Sequence, residues 1–240
     1  MMATALGKIY IVSPNVRLEP EKTIYTGRHL VEFVQVDIEK AYASYHEAMD
    51  IAEELFKHVV RRVLERADEE LKALGRELEV PRGRFERITY DEALMILRKI
   101  GCEVKYGIEI PWKCEVILSA HFEDPFFIYD YPRGSRGFYD REDPERPGIL
   151  RDFDMLYPEG FGEAISGAER EYKYEKVVER MKEGGEDPNI YGWYLEMLKD
   201  GIAPTAGFGI GVERFTRYLC GLEAVWEARP YPKLPGIVSP

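Results

Sequence analysis

The chain has 240 residues, 45% of them hydrophobic and 32% charged, and its formal net charge at pH 7 is −11. These values fit one large globular domain with a sizeable core, and the negative charge argues against broad, nonspecific binding to nucleic acid. No apolar run reaches membrane-spanning length, and the first residues lack the form of a signal peptide, so we expect a cytoplasmic protein without membrane segments.

Two strands separated by a polar loop are predicted near the start of the chain. Residues 8–13 are rich in β-branched and aromatic side chains, and residues 16–19 continue the strand after a Pro-Asn interruption. Residues 20–28 are polar and indicate a loop. Residues 30–39 then alternate as a strand does.

One face of this second strand carries Phe33, Gln35, Asp37 and Glu39, because successive side chains of a strand point to opposite faces. An aromatic ring, an amide and a carboxylate in a row are typical of a binding surface rather than of a core. The alternative is an ordinary hairpin with a charged loop.

The middle of the chain alternates between helical and strand patterns. Residues 45–74 carry an apolar stripe at helical spacing, and Thr89 with Glu92 forms a capping box that opens another helix. Residues 101–123 show no readable pattern. Three strands and two helices are predicted further along, over residues 125–132, 150–157, 163–171, 172–182 and 188–198.

The three cysteines of the chain, Cys102, Cys114 and Cys220, lack the spacing of a metal site. Free thiols are the usual state of cysteines in cytoplasmic proteins. We therefore expect all three to be reduced and to serve in packing.

Three glycines at alternate positions, Gly207, Gly209 and Gly211, precede an amphipathic run that contains Arg214. Such glycines let another group approach the backbone closely, and a helix start beside them suits an anion. The alternative is a tight strand-to-helix turn. An arginine one turn into the helix favours the phosphate site.

This glycine stretch, residues 207–214, resembles motif 3 of the class II aminoacyl-tRNA synthetases. Arg17 and Glu19, followed by the pattern of residues 28–39, resemble motif 2 in the aspartyl and asparaginyl branch. The resemblance implies an α+β fold over residues 1–240, in which helices flank an antiparallel sheet. It also implies a homodimer, although neither motif 1 nor an anticodon-binding domain is visible.

The resemblance implies a role for each matching residue. Arg17 would hold the α-phosphate of ATP, Glu19 would lie near the adenine or the α-amino group, and His29 would reach the distal phosphates. Phe33 would stack under the adenine, and Arg214 would lie over it. Gly209 and Gly211 would line the same ATP site.

The amino acid would be held by Gln35 and Asp37 through its α-ammonium group and by Arg170 through its side chain. A planar, permanently charged guanidinium suits a carboxylate or the oxygen of an amide. Ser166 and Gly167 would keep the backbone close. The alternative for Arg170 is an exposed ion-pair run with its acidic neighbours.

Asp154 and Glu163 stand near the ends of two neighbouring predicted strands. Two such carboxylates can share a Mg²⁺ ion bound to ATP phosphates, and the resemblance supports this, with Glu163 the firmer ligand. The alternative is a pair of strand-end acids that never meet.

One departure concerns residue 205. The branch usually has Pro-His-x-Gly, whereas this chain has Pro204-Thr205-Ala206-Gly207. Together with residues 138–142 and 162–171, this change resembles archaeal paralogues of asparaginyl-tRNA synthetase. Those paralogues activate aspartate as the adenylate and let ammonia attack it, which gives asparagine. We therefore predict that activity. The alternatives are asparagine–tRNA ligation, with tRNA the less expected partner, and a non-catalytic binding module.

Overall fold

The computed structural model describes residues 2–237. Its centre is a seven-stranded sheet in the order β1-β2-β7-β6-β5-β4-β3. The strands are β1 Lys8–Val16, β2 Glu32–Ala41, β3 Glu86–Thr89, β4 Phe126–Tyr129, β5 Asp152–Tyr157, β6 Gly162–Glu169 and β7 Thr205–Gly211. The helices are α1 Met2–Leu6, α2 Tyr45–Arg66, α3 Asp68–Ala73, α4 Tyr90–Lys99, α5 Trp112–Ser119, α6 Tyr174–Glu183, α7 Gly192–Asp200 and α8 Val212–Cys220.

This arrangement confirms the α+β prediction. Strand β5 runs antiparallel to both β4 and β6, whereas β3 and β4 are parallel. A parallel pair needs a long crossover, and α4 and α5 supply it between β3 and β4. None of the helices within residues 2–237 combines the length and the apolar composition that a bilayer crossing requires.

The chain forms two compact units. The first consists of the chain up to Ile9, Ile38–Ile51 and Phe85–Phe208. One core cluster packs α4 and α5 against β3, β4 and β5, and a smaller cluster joins α6 to α7. The larger cluster contains Ile88, Tyr90, Leu97, Leu118, Phe126, Ile128 and Leu156.

The second unit consists of Tyr10–Asp37, Ala52–Arg84 and the chain from Gly209 onward. In its core, Phe56 of α2 lies 5.4 Å from Phe215 and 5.8 Å from Tyr218 of α8, measured between ring centroids. Aromatic contacts of this kind hold α8 against α2.

Several local predictions need correction. Strand β1 continues through the Pro-Asn pair to Val16, and the predicted loop contains a short 3₁₀ helix, Glu21–Thr26. The long helix ends at Arg66, and α3 begins after Ala67. Residues 101–123, which show no readable pattern, contain α5. The capping box of Thr89 and Glu92 is confirmed.

The prediction of three reduced cysteines is wrong for two of them. Cys102 and Cys114 form a disulfide, with 6.0 Å between their Cα atoms. The chain turns back between α4 and α5, which a spacing of 12 residues does not reveal. Only Cys220 is a free cysteine among residues 2–237.

Candidate functional site

The residues with expected ATP roles lie together in the second unit, and we call Arg17, Glu19, His29, Phe33 and Arg214 the nucleotide cluster. The Arg17 guanidinium lies over the Phe33 ring, 5.3 Å from the ring centroid, and 3.6 Å from a carboxylate oxygen of Glu19. A cation over an aromatic face is attracted to it. The Arg17 side chain is 61% exposed, so an anion in solution can reach it.

Arg214 approaches the same cluster from α8. Its Nε donates to the backbone oxygen of Arg28 over 3.5 Å. Burial and the positive charge of Arg214 lower the pKa of His29, while Glu19 acts in the opposite direction. The structure thus places His29 within the electrostatic reach of both Arg214 and Glu19.

Glu213 fixes the start of α8 within the second unit. Its carboxylate is buried, accepts the backbone N–H of Val34 over 3.0 Å, and lies 3.1 Å from Arg229. A charge-assisted bond to a strand backbone sets both the position and the rotation of the helix. Arg214 is therefore placed by its preceding neighbour, a role that the sequence pattern does not reveal.

His29 provides a prediction with a defined sign. In the free protein burial and the charge of Arg214 lower the pKa of His29, and we expect a bound triphosphate to raise it, because negative charge favours the imidazolium. ATP binding is then accompanied by the uptake of a proton. The affinity for ATP should therefore rise as the pH falls through the range in which His29 titrates. Carbon-detected NMR titration, with His29→Asn for assignment, measures both values. A His29 pKa that ATP leaves unchanged would contradict the expectation.

The three glycines lie in strand β7, which ends at Gly211, and α8 begins at the next residue, so the strand-to-helix junction is also tight. Gly209 lies in β7, and a Cβ there would stand 2.7 Å from Asp37 Oδ1 and 2.8 Å from Gln35 Nε2. The group that approaches this backbone closely is therefore the pair of side chains expected to bind the amino acid. Gly211 differs, because a Cβ there would meet only the Arg214 side chain, at 3.8 Å.

This difference gives a matched pair of substitutions. Gly209→Ala should displace the ends of Gln35 and Asp37 by several tenths of an ångström, and we expect about a 10–100-fold loss of kcat/KM for the amino acid. Gly211→Ala should change it little. Pyrophosphate exchange measures the loss, and thermal unfolding checks that both variants remain folded. If the two substitutions lower kcat/KM for the amino acid equally, Gly209 is not needed for the placement of Gln35 and Asp37.

Arg170 lies in the first unit, where Glu39, Asp140 and Arg170 form what we call the amide cluster. Arg170 Nε and Nη2 lie 2.9 and 2.8 Å from Glu39 Oε1, and Nη1 lies 3.4 Å from Asp140 Oδ1. The neighbouring Glu169 pairs instead with Arg141 and Arg151. The alternative of an exposed ion-pair run for Arg170 is therefore wrong.

The second oxygen of Glu39 distinguishes the amide cluster from a closed ion pair. Glu39 Oε2 is buried and has no hydrogen-bond partner within residues 2–237. A buried carboxylate oxygen without a donor is costly, so this position favours a ligand that supplies an N–H. The sequence pattern places Glu39 on the predicted binding face of β2 but indicates no role for it. The pattern also assigns no role to Asp140.

Two residues expected near the amino acid occupy different surroundings in β6. Ser166 is exposed and lies opposite Asp154 in the sheet register. Gly167 is buried, and a Cβ there would overlap the Phe153 ring and stand 2.7 Å from the Gly207 oxygen. The tightness at Gly167 thus comes from packing inside the first unit.

The two acids expected to hold Mg²⁺ lie on one face of β5 and β6. Asp154 pairs with Ser166 and Leu156 with Glu163 in the register, and paired residues share a face. One Asp154 oxygen pairs with Arg136, whereas the other is buried without a hydrogen-bond partner among the described residues. Within residues 2–237, no group of three or more acidic, histidine or cysteine side chains could hold a metal ion.

Comparison with known proteins gives a consistent picture. A model of the family described as tRNA synthetases class II (D, K and N) matches residues 1–235. The asparagine–tRNA ligase of Symbiobacterium thermophilum is 41% identical over 241 residues, which cover 97% of this chain and 54% of that relative.

Solved structures give the same result. The crystal structure of asparaginyl-tRNA synthetase from Pyrococcus horikoshii complexed with asparaginyl-adenylate matches with a TM-score of 0.91 at 34% identity, covering 100% of this chain and 55% of that chain. Aspartyl tRNA synthetase from Entamoeba histolytica matches with a TM-score of 0.90 at 29% identity, covering 100% and 50%. This chain spans about half the length of the curated relatives it matches. On these grounds the chain belongs to the class II tRNA synthetases of the D, K and N group.

Proposed function

We propose that this chain is the catalytic part of an asparagine–tRNA ligase. It uses ATP to convert asparagine into asparaginyl-adenylate, releases pyrophosphate, and transfers the asparaginyl group to tRNA. Relatives that carry the name asparagine–tRNA ligase support this, as does the similarity to a synthetase complexed with asparaginyl-adenylate. Homodimer formation and a cytoplasmic location stay predictions.

The amide cluster is the observation that carries the choice of amino acid. The side-chain amide of asparagine has N–H donors and a carbonyl acceptor, whereas the carboxylate of aspartate has acceptors only. Glu39 Oε2 would accept an amide N–H, and Arg170 would donate to the amide oxygen. Aspartate would bring a second negative charge against Glu39, which disfavours it.

The nucleotide cluster would hold ATP. Arg17 and Arg214 would neutralise the phosphates, and Phe33 would stack under the adenine. An oxygen of the asparagine α-carboxylate attacks the α-phosphorus, the bond to the bridging oxygen breaks, and pyrophosphate leaves with that electron pair. A carboxylate nucleophile needs no general base, so placement and charge neutralisation supply the catalysis.

Asp154 and Glu163 fit a magnesium ion that travels with ATP. The unpartnered Asp154 oxygen and the shared strand face offer two oxygen ligands, and Mg²⁺ commonly takes one or two carboxylates and completes its shell with phosphates and water. When bound, the ion would neutralise phosphate charge.

Two parallel assays test the proposal. Asparagine should support ATP–pyrophosphate exchange and the charging of tRNA, and aspartate should support neither. Formation of asparagine and AMP from aspartate, ATP and ammonia would overturn the choice of substrate in favour of amidation. No pyrophosphate exchange and no AMP with either amino acid would overturn catalysis altogether and leave a binding module.

A further inference from the structure

The Cys102–Cys114 disulfide closes a segment between α4 and α5. Cys114 is buried, and both cysteines pack in the core cluster formed by α4, α5 and strands β3 to β5. Residues 103–111 between them are not helical or extended. The conformation of this segment therefore depends on its two anchored ends and on the contacts it makes.

Contacts of three kinds, namely those of the Tyr90 side chain, apolar burial and an ion pair, fix the segment against the rest of the first unit. Tyr90 donates its hydroxyl to the Ile108 oxygen over 2.7 Å, and its ring lies 5.7 Å from that of Tyr106. Ile110 is buried in the same core cluster. The ion pair joins Glu109 Oε1 to Arg136 Nη1 over 3.1 Å.

Arg136 connects that segment to strand β5. Its guanidinium lies over the Tyr131 ring, pairs with Asp154, and stands 3.4 Å from Asp152 Oδ2. Its side chain is only 10% exposed, and those of Asp152 and Asp154 are buried, so solvent screens these two pairs weakly; the Glu109 side chain is 53% exposed. A shift of Glu109 would rebalance the charges on Arg136 and move the guanidinium relative to Asp154.

We propose that Glu109 is a positioning residue for Asp154, acting through Arg136, and that the Cys102–Cys114 disulfide keeps it in place. Redox state then sets how well the acidic strand pair receives the magnesium–ATP complex. The role of Asp154 in this inference rests on the proposed function. The coupling from the disulfide to Arg136 does not.

The redox step is an ordinary exchange with a dithiol. A thiolate of the dithiol attacks the sulfur of Cys102, the more exposed of the two, and Cys114 leaves as a thiolate that takes up a proton. The second thiol of the reagent then displaces Cys102. Two electrons pass to the protein, which gains two thiols, and the reagent becomes a disulfide.

The experiment compares the whole chain in its oxidised form and after reduction by dithiothreitol. Hydrogen exchange is measured over residues 103–113 and 133–140, and ATP affinity is measured by calorimetry with Mg²⁺ present. Glu109→Gln breaks the ionic link while leaving the disulfide intact. Glu103→Gln, an exposed acid of the same segment, is the matched control, and Cys220→Ser controls for the free thiol.

Reduction should speed exchange in both stretches and weaken the binding of ATP with Mg²⁺ about 3–10-fold. Glu109→Gln should weaken it equally in the oxidised form, and reduction should then add little, because both changes break the same link. Glu103→Gln and Cys220→Ser should behave as the unchanged protein.

Two results would overturn the inference. If reduction speeds exchange only in residues 103–113, the disulfide stabilises its own segment alone. If reduction and Glu109→Gln have additive effects on ATP affinity, the disulfide does not act through Arg136. Failure of the proposed function would give a different result: reduction would still speed exchange in both stretches, but asparagine would not support pyrophosphate exchange.

Discussion

Arg214→Ala is expected to lower kcat/KM for asparagine-dependent pyrophosphate exchange by about 10²–10³-fold. The guanidinium lies in the nucleotide cluster, where its charge lowers the pKa of His29, and α8 is fixed from behind by Glu213. A pre-positioned cation stabilises charge that develops on the phosphates, and alanine removes it without altering the support. Because the interaction grows toward the transition state, the loss should appear mainly in kcat.

Arg217→Ala is the matched control for this prediction. Arg217 lies one turn along α8, and its Nε donates to the Glu223 oxygen at the end of the helix. The substitution therefore removes the same charge from the same helix as Arg214→Ala does, but the contact that it removes is structural. We expect a small loss of stability and less than about a 5-fold change in kcat/KM. Similar kinetic losses in the two variants would mean that Arg214 acts through general charge alone.

Arg170→Ala is expected to reduce kcat/KM for asparagine by about 30–1000-fold, which corresponds to about 2–4 kcal/mol, while ATP affinity stays within a factor of a few. The guanidinium holds Glu39 and lies beside Asp140 in the amide cluster. Its removal also leaves two carboxylates without their cation, so the unfolding temperature should fall. Steady-state kinetics, ATP titration and thermal unfolding separate these effects.

Two further variants separate recognition from folding. Arg141→Ala removes another arginine that pairs with a buried carboxylate, Glu169, over 2.9 Å, and it should lower stability without changing asparagine use. Glu39→Gln should lower kcat/KM for asparagine and reduce the ratio of kcat/KM for asparagine to that for aspartate. The reason is that the new amide nitrogen is a hydrogen-bond donor at a position where an acceptor is needed. Equal loss of ATP and asparagine binding in Arg170→Ala would assign Arg170 to another role.

The prediction of substrate depended on Thr205 together with residues 138–142 and 162–171, but Thr205 is not among the side chains that pair with Arg170. Thr205 is buried, and its backbone oxygen accepts the Arg170 N–H over 2.8 Å. The carboxylates that pair with the Arg170 guanidinium belong to Glu39 and Asp140, and the Tyr139 ring lies 5.8 Å from it. A difference from a motif indicates that a pocket has changed, but the chemistry of the pocket depends on every side chain in it.

Local features of the fold could be predicted from the order of the amino acids alone. Alternation along residues 30–39 identified the face that carries Phe33, Gln35 and Asp37, and the capping box placed the start of α4 at Thr89. These features depend on periodicity and on contacts within a few residues, which are written directly in the order of side chains.

Contacts between side chains that are distant in the sequence could be identified only from the folded chain. Arg170 binds Glu39 across 131 positions of the chain, Cys102 reaches Cys114 through a turn without a pattern, and Gly209 leaves room for two side chains of another strand. Such pairings follow from the order and register of strands. A local pattern cannot specify them, because the same alternation fits many neighbours.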